Sequence, residues 1–461
     1  MVHNDRVDRS GTASQSRCQR TSLGTGKAAL AALLATSSLS LMPVPALAQL
    51  TYTPLQFDSS TFTGVTGIRG DNMTGNYALP GGGGPTGGLL YRFSTGAFEP
   101  FPVATASGVN FPGAITATPY GPTFGAPTGI LRVVGSFTTA SYPFNQSFLS
   151  DAAAAPGQQI VPLMFPSASN TNPTLETIAH STFGNQIVGN YDTRLATGNA
   201  FIYDIPSAAY TTNNRPGATS TTAYGVWGNR IAGGTTDGGG GGLEHGYIYN
   251  QNTGTFRLYD APGVATTATH FEGITAGGRA GEYNLVADSV DATGAHAWAV
   301  HVDANGVATW VELKVPGALA TSGNSIYQDR AIGVFVEPGG IVKAFTTTVP
   351  GFYNPVINNG TLVATTPFGA AISAVTGDDV VNVGTIRAAG ANSIGIASGP
   401  YGVIQNGGSI GATGAGSVAV QMNSLFGTLL NAGTITAAPG AFAIQTGPSA
   451  VGTMIMKRSP L

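Results

Sequence analysis

The sequence predicts an all-β protein: a β-propeller-like N-terminal domain of about six blades, followed by a short right-handed parallel β-helix. Two repeats predict this fold, one with a period near 50 residues in the first part of the chain and one of 24 or 25 residues in the second. Composition agrees, since 67 of the 461 residues are glycine and only 9% are charged. So much glycine with so little charge is typical of short strands joined by tight turns.

The same composition excludes several classes of protein. Long coiled coils need far more charge, collagen needs glycine at every third position, and disordered chains lack the 9% of aromatic residues found here. After residue 48 the chain holds 14 basic residues (19 − 5) and 20 acidic ones (22 − 2), a net charge of −6. No basic patch survives, so nucleic acid is not an expected partner. The only cysteine is Cys18, so stability is expected to come from sheet packing.

The first 48 residues predict a signal peptide. A polar, basic stretch precedes an apolar stretch at residues 28–41, and a small-x-small sequence ends at Ala48. Cleavage is therefore expected between Ala48 and Gln49, with an uncleaved anchor as the alternative. Beyond the signal peptide, no apolar run approaches the roughly 20 residues that a membrane helix needs. No membrane-spanning segment is predicted in the mature chain.

The first repeat occupies residues 49–356. Its clearest unit is Gly-Asn-Gln-Ile-Val-Gly-Asn-Tyr at residues 184–191, followed by an aromatic strand at residues 199–204. Related units lie at residues 70–77, 133–137, 228–233, 279–283 and 331–335. The glycines predicted to be equivalent are Gly75, Gly135, Gly189, Gly233, Gly281 and Gly333.

Each unit reads as three or four short strands separated by turns, which is the content of a propeller blade. Six copies predict about six blades. Residues 52–58 resemble the last strand of a unit, yet they precede the first unit. Such a strand would complete the last blade and remove an open sheet edge. A β-sandwich or a solenoid built from the same units stays open as an alternative.

The second repeat occupies residues 357–449 and is more regular. Copies of Asn-x-Gly-x-aliphatic begin at Asn358, Asn382, Asn406 and Asn431, and their glycines lie 24, 24 and 25 residues apart. About twelve residues after each copy comes a second strand of small and aliphatic residues. A coil of a parallel β-helix has this content, with aliphatic side chains stacked inward and asparagines in a ladder at a corner. Residues 450–461 are left as a tail.

The Asn-x-Gly-x-Ile coils, including residues 381–386 and 430–435, resemble passenger domains of bacterial autotransporters. The glycine-rich units upstream resemble propeller-like repeats of some large surface proteins of Gram-negative bacteria. Together with the signal peptide, the resemblance covers most of the chain. It implies export to the periplasm and then display on, or release from, the outer surface, with an unknown host or cell-surface ligand as the partner.

The end of the chain departs from that family's pattern. An autotransporter would end in a membrane β-barrel, whereas only residues 451–461 follow the last coil. Three explanations stay open: a truncated gene product, a fragment of a longer passenger, or a protein exported by another route. A truncated product would be expected to stay in the periplasm.

Candidate metal-binding and adhesive residues have simpler structural explanations. Two histidines, His245 and His296, occupy equivalent repeat positions just before a strand, which predicts a structural role. The other histidines that follow the signal peptide are His180, His270 and His301. Neither His-x-x-x-His nor paired cysteines occur, so no metal site is predicted, and no cofactor is expected. The triplet at residues 69–71, Arg-Gly-Asp, falls on a turn that reads Phe-Gly-Asn and Trp-Gly-Asn in sister units.

Catalytic groups are scarce. The glycine runs at residues 81–84 and 238–242 lack the Lys-Ser/Thr of a phosphate loop and are predicted to join blade strands, and Gly-x-Ser-x-Gly is absent. The paired acids Asp378 and Asp379 begin a coil whose neighbours are mostly small. Acidic residues that could line a propeller channel are Glu244, Glu272, Glu282 and Asp288. No catalytic residue is therefore assigned: the expected function is an exported, non-enzymatic scaffold with adhesive loops, and the alternative is a carbohydrate-active or other hydrolase seated in the propeller-like part.

Overall fold

The computed structural model describes residues 50–456, apart from 81–86, 102–113, 126–129, 239–241, 423–424 and 448–450. The predicted signal peptide, with its cleavage site at Ala48 and Gln49, lies outside the described residues, as do the whole glycine run at residues 81–84 and residues 239–241 of the second run. Every regular element in the described part is a β-strand. Within that part, none of the elements is a helix long and apolar enough to cross a membrane.

The first 24 strands form six antiparallel blades of four strands each. Blade one consists of β2 (Phe62–Arg69), β3 (Asn72–Ala78), β4 (Gly87–Arg92) and β5 (Ala97–Pro100). Blade two consists of β6 (Ala114–Gly125), β7 (Ile130–Thr139), β8 (Tyr142–Asp151) and β9 (Ile160–Leu163). Blade three consists of β10 (Thr174–Phe183), β11 (Gln186–Thr193), β12 (Asn199–Asp204) and β13 (Ala209–Thr212). Blade four consists of β14 (Ala218–Trp227), β15 (Arg230–Asp237), β16 (Glu244–Asn250) and β17 (Thr255–Tyr259). Blade five consists of β18 (Ala268–Ala276), β19 (Tyr283–Asp291), β20 (Gly294–Val302) and β21 (Ala308–Leu313). Blade six consists of β22 (Ala320–Tyr327), β23 (Arg330–Val336), β24 (Val342–Thr348) and β1 (Tyr52–Leu55).

Strand β1 closes the ring. It pairs antiparallel with β24, from Tyr52 opposite Thr347 to Leu55 opposite Ala344, and so supplies the fourth strand of blade six. The ring of Tyr52 packs edge-on against Phe345 with centroids 5.4 Å apart. The first strand of each blade lies next to that of the following blade, and β22 lies next to β2. The prediction of about six blades with a displaced closing strand is confirmed.

A β-bulge interrupts the inner strand of every blade at the same level. On the inner strands β2, β6, β10, β14, β18 and β22 the register shifts between 65 and 67, 119 and 122, 179 and 181, 223 and 225, 271 and 273, and 323 and 325. A bulge leaves an extra residue unpaired and turns its side chain. The residues within the six bulges are Thr66, Tyr120 with Gly121, His180, Tyr224, Glu272 and Asn324.

The bulge explains the repeated glycine and corrects one assignment. The residue opposite the start of each bulge is Gly75, Gly135, Gly189, Gly233, Ala287 or Gly333. At Gly189 and at Gly233 a Cβ atom would overlap a carbonyl oxygen of the inner strand, so a side chain is excluded there. Gly281 was predicted to be the fifth equivalent, and this is wrong: it lies before β19, and Ala287 takes the position.

Strands β25 to β37 form a parallel β-helix of three sheets. The first sheet contains β25 (Val356–Asn358), β28 (Val380–Asn382), β31 (Val403–Asn406), β34 (Leu425–Asn431) and β37 (Val451–Met456). The second contains β26 (Thr361–Ala364), β29 (Thr385–Ala388), β32 (Ser409–Ala412) and β35 (Thr434–Ala437), and the third β27 (Ala370–Ser373), β30 (Ile394–Ser398), β33 (Val418–Met422) and β36 (Phe442–Thr446). Aliphatic side chains fill the interior, among them Val380, Ile386, Ile396, Ile404, Ile410 and Leu429.

The predicted asparagine ladder is present at one corner of the coils. The Nδ2 of Asn358 donates to Oδ1 of Asn382 at 2.7 Å, Asn382 donates to Asn406 at 2.7 Å, and Asn406 donates to Asn431 at 2.6 Å. All four asparagines are buried. Each side-chain amide therefore forms a hydrogen bond with the amide in the next coil, at a place that water cannot reach.

The β-helix packs against the side of the propeller at which the inner strands end. The ring of Phe426 lies over Gly184 and the ring of Tyr401 over Gly228, and both glycines occupy the same turn of successive blades. Their φ angles are 58° and 56°, and a Cβ at Gly184 would lie 2.8 Å from the Phe426 ring. Glycine is thus required there by the backbone conformation and by the contact with the β-helix.

Candidate functional site

The candidate site is the central channel, where the six inner strands meet. One narrow cavity of about 30 Å³ lies in it, room for only a few water molecules. All six inner strands contribute to its wall. The polar side chains that line it are Thr66, Arg69, His180, Ser181, Thr182, Tyr224, Glu272, Thr275 and Ser325.

Bulge residues form an aromatic arc along the channel wall. His180 stacks on Tyr224 with centroids 3.9 Å apart, and Tyr120 meets the other side of its ring edge-on at 4.8 Å. Tyr224 in turn meets His270 edge-on at 4.5 Å. The arc crosses four blades, β6 to β18: Tyr120, His180 and Tyr224 lie within bulges, whereas His270 precedes the bulge of β18.

His180 is a neutral imidazole of known tautomer. Burial, and after it the charge of His270, lowers the pKa of His180 to about 3. Oδ1 of Asn190 accepts the N–H of Ala223 at 2.9 Å, so its Nδ2 is the atom that faces His180 Nε2 at 3.1 Å. Nε2 must therefore accept that bond, and the ring proton sits on Nδ1. Nδ1 is buried and has no hydrogen-bond partner within the described part of the chain.

Three carboxylates converge on His270. Its Nδ1 lies 2.5 Å from Oε1 of Glu244, Asp288 is its direct partner across β18 and β19, and Glu272 follows two residues later. A single backbone bridge between Glu244 and Ala268 joins blades four and five and brings Glu244 to this place. The sequence named these three acids as possible channel residues, and the structure brings them together around a histidine.

The electrostatics of this cluster favour a charged His270. Burial alone would lower the pKa of His270, but the charge of Glu272, the hydrogen bond and charge of Glu244 and the charge of Asp288 raise it to about 9. Burial raises the pKa of Asp288 to about 6, against the hydrogen bonds that it accepts from Ser322 Oγ and Gly323 N. At neutral pH the cluster therefore holds a histidinium among carboxylates.

The repeat is modified where this cluster forms. In blades one, three and five the residue after the position opposite the bulge is Asn76, Asn190 or Asp288, and each bonds the inner strand of the next blade. Blade four has Gly234 at this position. A Cβ on Gly234 would overlap the His270 ring and the Glu244 carboxylate. The missing side chain makes room for that pair.

Arg69 occupies the end of the channel that faces the β-helix. Its Cζ atom lies 3.9 Å from the ring centroid of Trp227, 5.1 Å from that of Phe183 and 5.4 Å from that of Tyr327. Asp71 accepts hydrogen bonds from the backbone N and the Oγ of Ser94 at 2.6 and 2.5 Å. The Arg-Gly-Asp triplet is therefore a structural turn, with its arginine inside the channel.

Below Arg69, buried acids join the propeller to the β-helix. Asp379 is 1% exposed and accepts hydrogen bonds from Val403 N at 2.8 Å and Tyr353 OH at 2.9 Å. Burial raises the pKa of Asp379 to about 7, although these bonds and the charge of Arg69 oppose the rise. Asp378 accepts the N–H of Ala280 at 2.9 Å. The acid pair predicted at the start of a coil thus belongs to the junction.

The remaining candidates lie apart from the channel wall. Glu282 precedes β19, where its backbone oxygen accepts the N–H of Gly277 at 2.9 Å. His245 and His296 stand at equivalent strand positions, as predicted: His245 bonds Asp260 at 2.6 Å, and His296 bonds Glu312 at 3.1 Å. Among the described residues, no group of three or more His, Cys, Asp or Glu side chains could hold a metal ion.

Sequence reasoning missed His180 and Arg69 as channel residues. A bulge depends on how two strands pair, so no local sequence pattern indicates that His180 faces the channel. The usable signal was the alignment of the repeats: Arg69 stands where sister units have Phe183 and Trp227, and a cation at an aromatic position is unusual. A second cavity of about 150 Å³ lies outside the channel, and Phe165, Tyr191, Asn172 and Asn199 are among its lining residues.

Comparisons with known proteins find only distant structural similarity. No family model matches the sequence, and neither does any curated protein. Among solved structures, a protein of unknown function from Dyadobacter fermentans DSM 18053 is similar over 65% of this chain and 98% of its own, with a TM-score of 0.41 and 8% identity. The β-propeller domain of the Trilobed protease from Pyrococcus furiosus is similar over 64% and 100%, with a TM-score of 0.35 and 8% identity.

A third solved structure, from a study of two prolyl endopeptidases, is similar over 70% of this chain, with a TM-score of 0.34 and 9% identity. The similarity spans 44% of that chain, less than half its length. Identities of 8–9% give no information about activity.

Proposed function

We propose that the chain is an exported scaffold protein of a Gram-negative bacterium, displayed on the cell surface or secreted as autotransporter passengers are. Its function is to bind a host or cell-surface ligand through exposed loops and the outside of the β-helix. The proposal rests on one observation: the channel, where a propeller would hold a substrate, is filled by its own side chains and leaves about 30 Å³.

The surface of the first coil supports a binding role. Large apolar side chains stand exposed there, with Phe368 at 78% and Ile357 at 61% of their full surface, and Val383 at the start of the second coil is 60% exposed. Exposed apolar groups of this size commonly mark protein-binding surfaces. The propeller contacts the β-helix through Tyr401 and Phe426 of later coils and through Asp378 at the end of the first coil, so the first coil is presented on a rigid support.

Export and display are tested in a Gram-negative host that expresses the full chain with a C-terminal epitope tag. We expect an N-terminus at Gln49 by mass spectrometry and digestion of the tagged protein by proteinase K on intact cells. The matched control is Ala48→Arg, which places a large charge at the small-residue position and blocks cleavage. Protection of the protein until the outer membrane is broken contradicts surface display, and an uncleaved cytoplasmic chain contradicts export.

A second candidate function is hydrolysis in the propeller, and the His270 cluster favours it. A histidinium beside Glu244, Glu272 and Asp288 could donate or accept a proton, as general acid–base catalysis requires. The test is hydrolysis of polysaccharides and of peptides by the purified chain and by Glu272→Gln. The scaffold proposal expects no turnover above buffer for either protein, whereas turnover that Glu272→Gln abolishes would establish the hydrolase.

A further inference from the structure

Two sets of hydrogen-bond donors in the channel are left unused by the protein. One is Nδ1–H of His180, a residue that is 6% exposed and whose tautomer is set by Asn190. A buried donor without an acceptor costs about 1–3 kcal/mol, so such groups normally face a bound water or ligand. His180 lines the 30 Å³ cavity, which is large enough to hold one.

The other donor set is the guanidinium of Arg69. Its neighbours are the faces of Trp227, Phe183 and Tyr327, which attract the cation but accept no conventional hydrogen bond. In the described part of the chain its guanidinium forms no hydrogen bond or ion pair, although the charge of Asp379 acts on it. Burial lowers the pKa of Arg69 to about 10, which still leaves it charged at neutral pH.

We infer that this cavity binds one small monovalent anion, chloride or a carboxylate of formate size, between the guanidinium of Arg69 and Nδ1–H of His180. Both residues line the same cavity, and both present donors only. Asp379 acts on Arg69 only through its charge, without a hydrogen bond or ion pair, and an arginine with free donors in a desolvated, aromatic-walled site is a strong anion-binding group. The inference is independent of the proposed function.

Size and charge in the cavity define the ligand. A cavity of about 30 Å³ has room for an ion the size of chloride, and sulfate or phosphate would have to lose far more hydration than chloride to enter it. Glu272 also lines the wall, but its carboxylate acts on the cationic His270, whose pKa it raises. The anion therefore belongs at the Arg69 end, where the wall carries aromatic rings.

The test uses the purified chain from Leu50 onward, unfolded by heat in chloride, bromide, formate or sulfate at matched ionic strength. We expect a saturable rise in Tm with the three small anions and none with sulfate. A crystal soaked in bromide should show one anomalous peak between Arg69 and His180. His180→Phe keeps the stacked ring but removes the donor, and it should weaken bromide binding roughly tenfold.

Arg69→Met should abolish the anion effect, and Arg330→Met is its matched control. Arg330 lies over the ring of Phe93 at 4.3 Å but does not line the cavity, so its loss should leave the anion effect unchanged. If Arg69→Met does not fold, the inference is tested by the bromide peak in the crystal and by the bromide affinity of His180→Phe. Equal responses to all four salts, or water alone in the cavity of the bromide-soaked crystal, would overturn the inference.

Discussion

Single residues in this protein take their roles from the repeat position they occupy. Three blades show this at one repeat position. Gly234 leaves space for its neighbours because it has no side chain, whereas Asn190 bonds the next blade through its amide and Asp288 through its carboxylate. His270 fits against Glu244 only because Gly234 has no side chain. A one-residue departure from the repeat thus creates the charged cluster of the channel.

The pH dependence of stability follows from His270. Its pKa is raised from 6.5 to about 9, so the folded state binds the proton more tightly than the unfolded chain. The stabilisation is complete below pH 6.5 and is lost as the pH rises through 9, by an amount on the order of 2–3 kcal/mol. The free energy of unfolding, measured by urea denaturation, should fall across this window in the wild type and fall less in His270→Asn. Parallel profiles for the two proteins would contradict the prediction.

At the scale of elements, the two repeats are stabilised by different interactions. Blades join through aromatic side chains on their third strands, such as Phe201, Tyr247 and Phe345, all fully buried. The coils of the β-helix join through aliphatic stacks and the asparagine ladder. A ladder passes through every coil, so a break in the middle affects two neighbours.

Loss of one asparagine should destabilise the β-helix. Asn406→Ala removes the acceptor for Asn382 and the donor for Asn431, which leaves Asn431 Oδ1 without that donor and Asn382 Nδ2 with only its longer bonds to the carbonyl oxygens of Gly384 and Ser409. We expect a cost of about 2–4 kcal/mol and faster hydrogen exchange in β28, β31 and β34. Thr436→Ala, an exposed change in β35, is the matched control and should alter neither quantity measurably. Equal exchange rates in both variants would show that the ladder adds little stability.

For the whole molecule, ring closure depends on a strand that is far from its partners along the chain. β1 lies nearly 290 residues before β24 and provides the outer strand of blade six. Hydroxyl groups secure it as well: Thr347 Oγ1 donates to the carbonyl oxygen of Thr51 at 2.8 Å, and Tyr52 OH accepts the N–H of Lys314 at 2.8 Å. Without β1, the edge of β24 would be open to another chain.

Removal of the closing strand should therefore destabilise the ring and promote association. A chain that starts at Gln56 should have a Tm lower by roughly 5–10 °C than one that starts at Leu50, and should form dimers or larger species in size-exclusion chromatography with light scattering. The chain that starts at Leu50 is the control and keeps β1. A monomer of unchanged Tm after the deletion would show that blade six is stable with three strands.

The sequence by itself determined the repeat periods, and with them the six blades, the displaced closing strand and the asparagine ladder. These features depend on contacts between equivalent residues of neighbouring repeats, so spacing along the chain reports them directly. Only the tertiary structure decided that Ala287, rather than Gly281, occupies the fifth repeat position, because bulges change the register without changing composition. It alone placed Arg69, His180 and His270 in one channel, since their proximity comes from ring closure, which brings together residues from three blades that no local pattern connects.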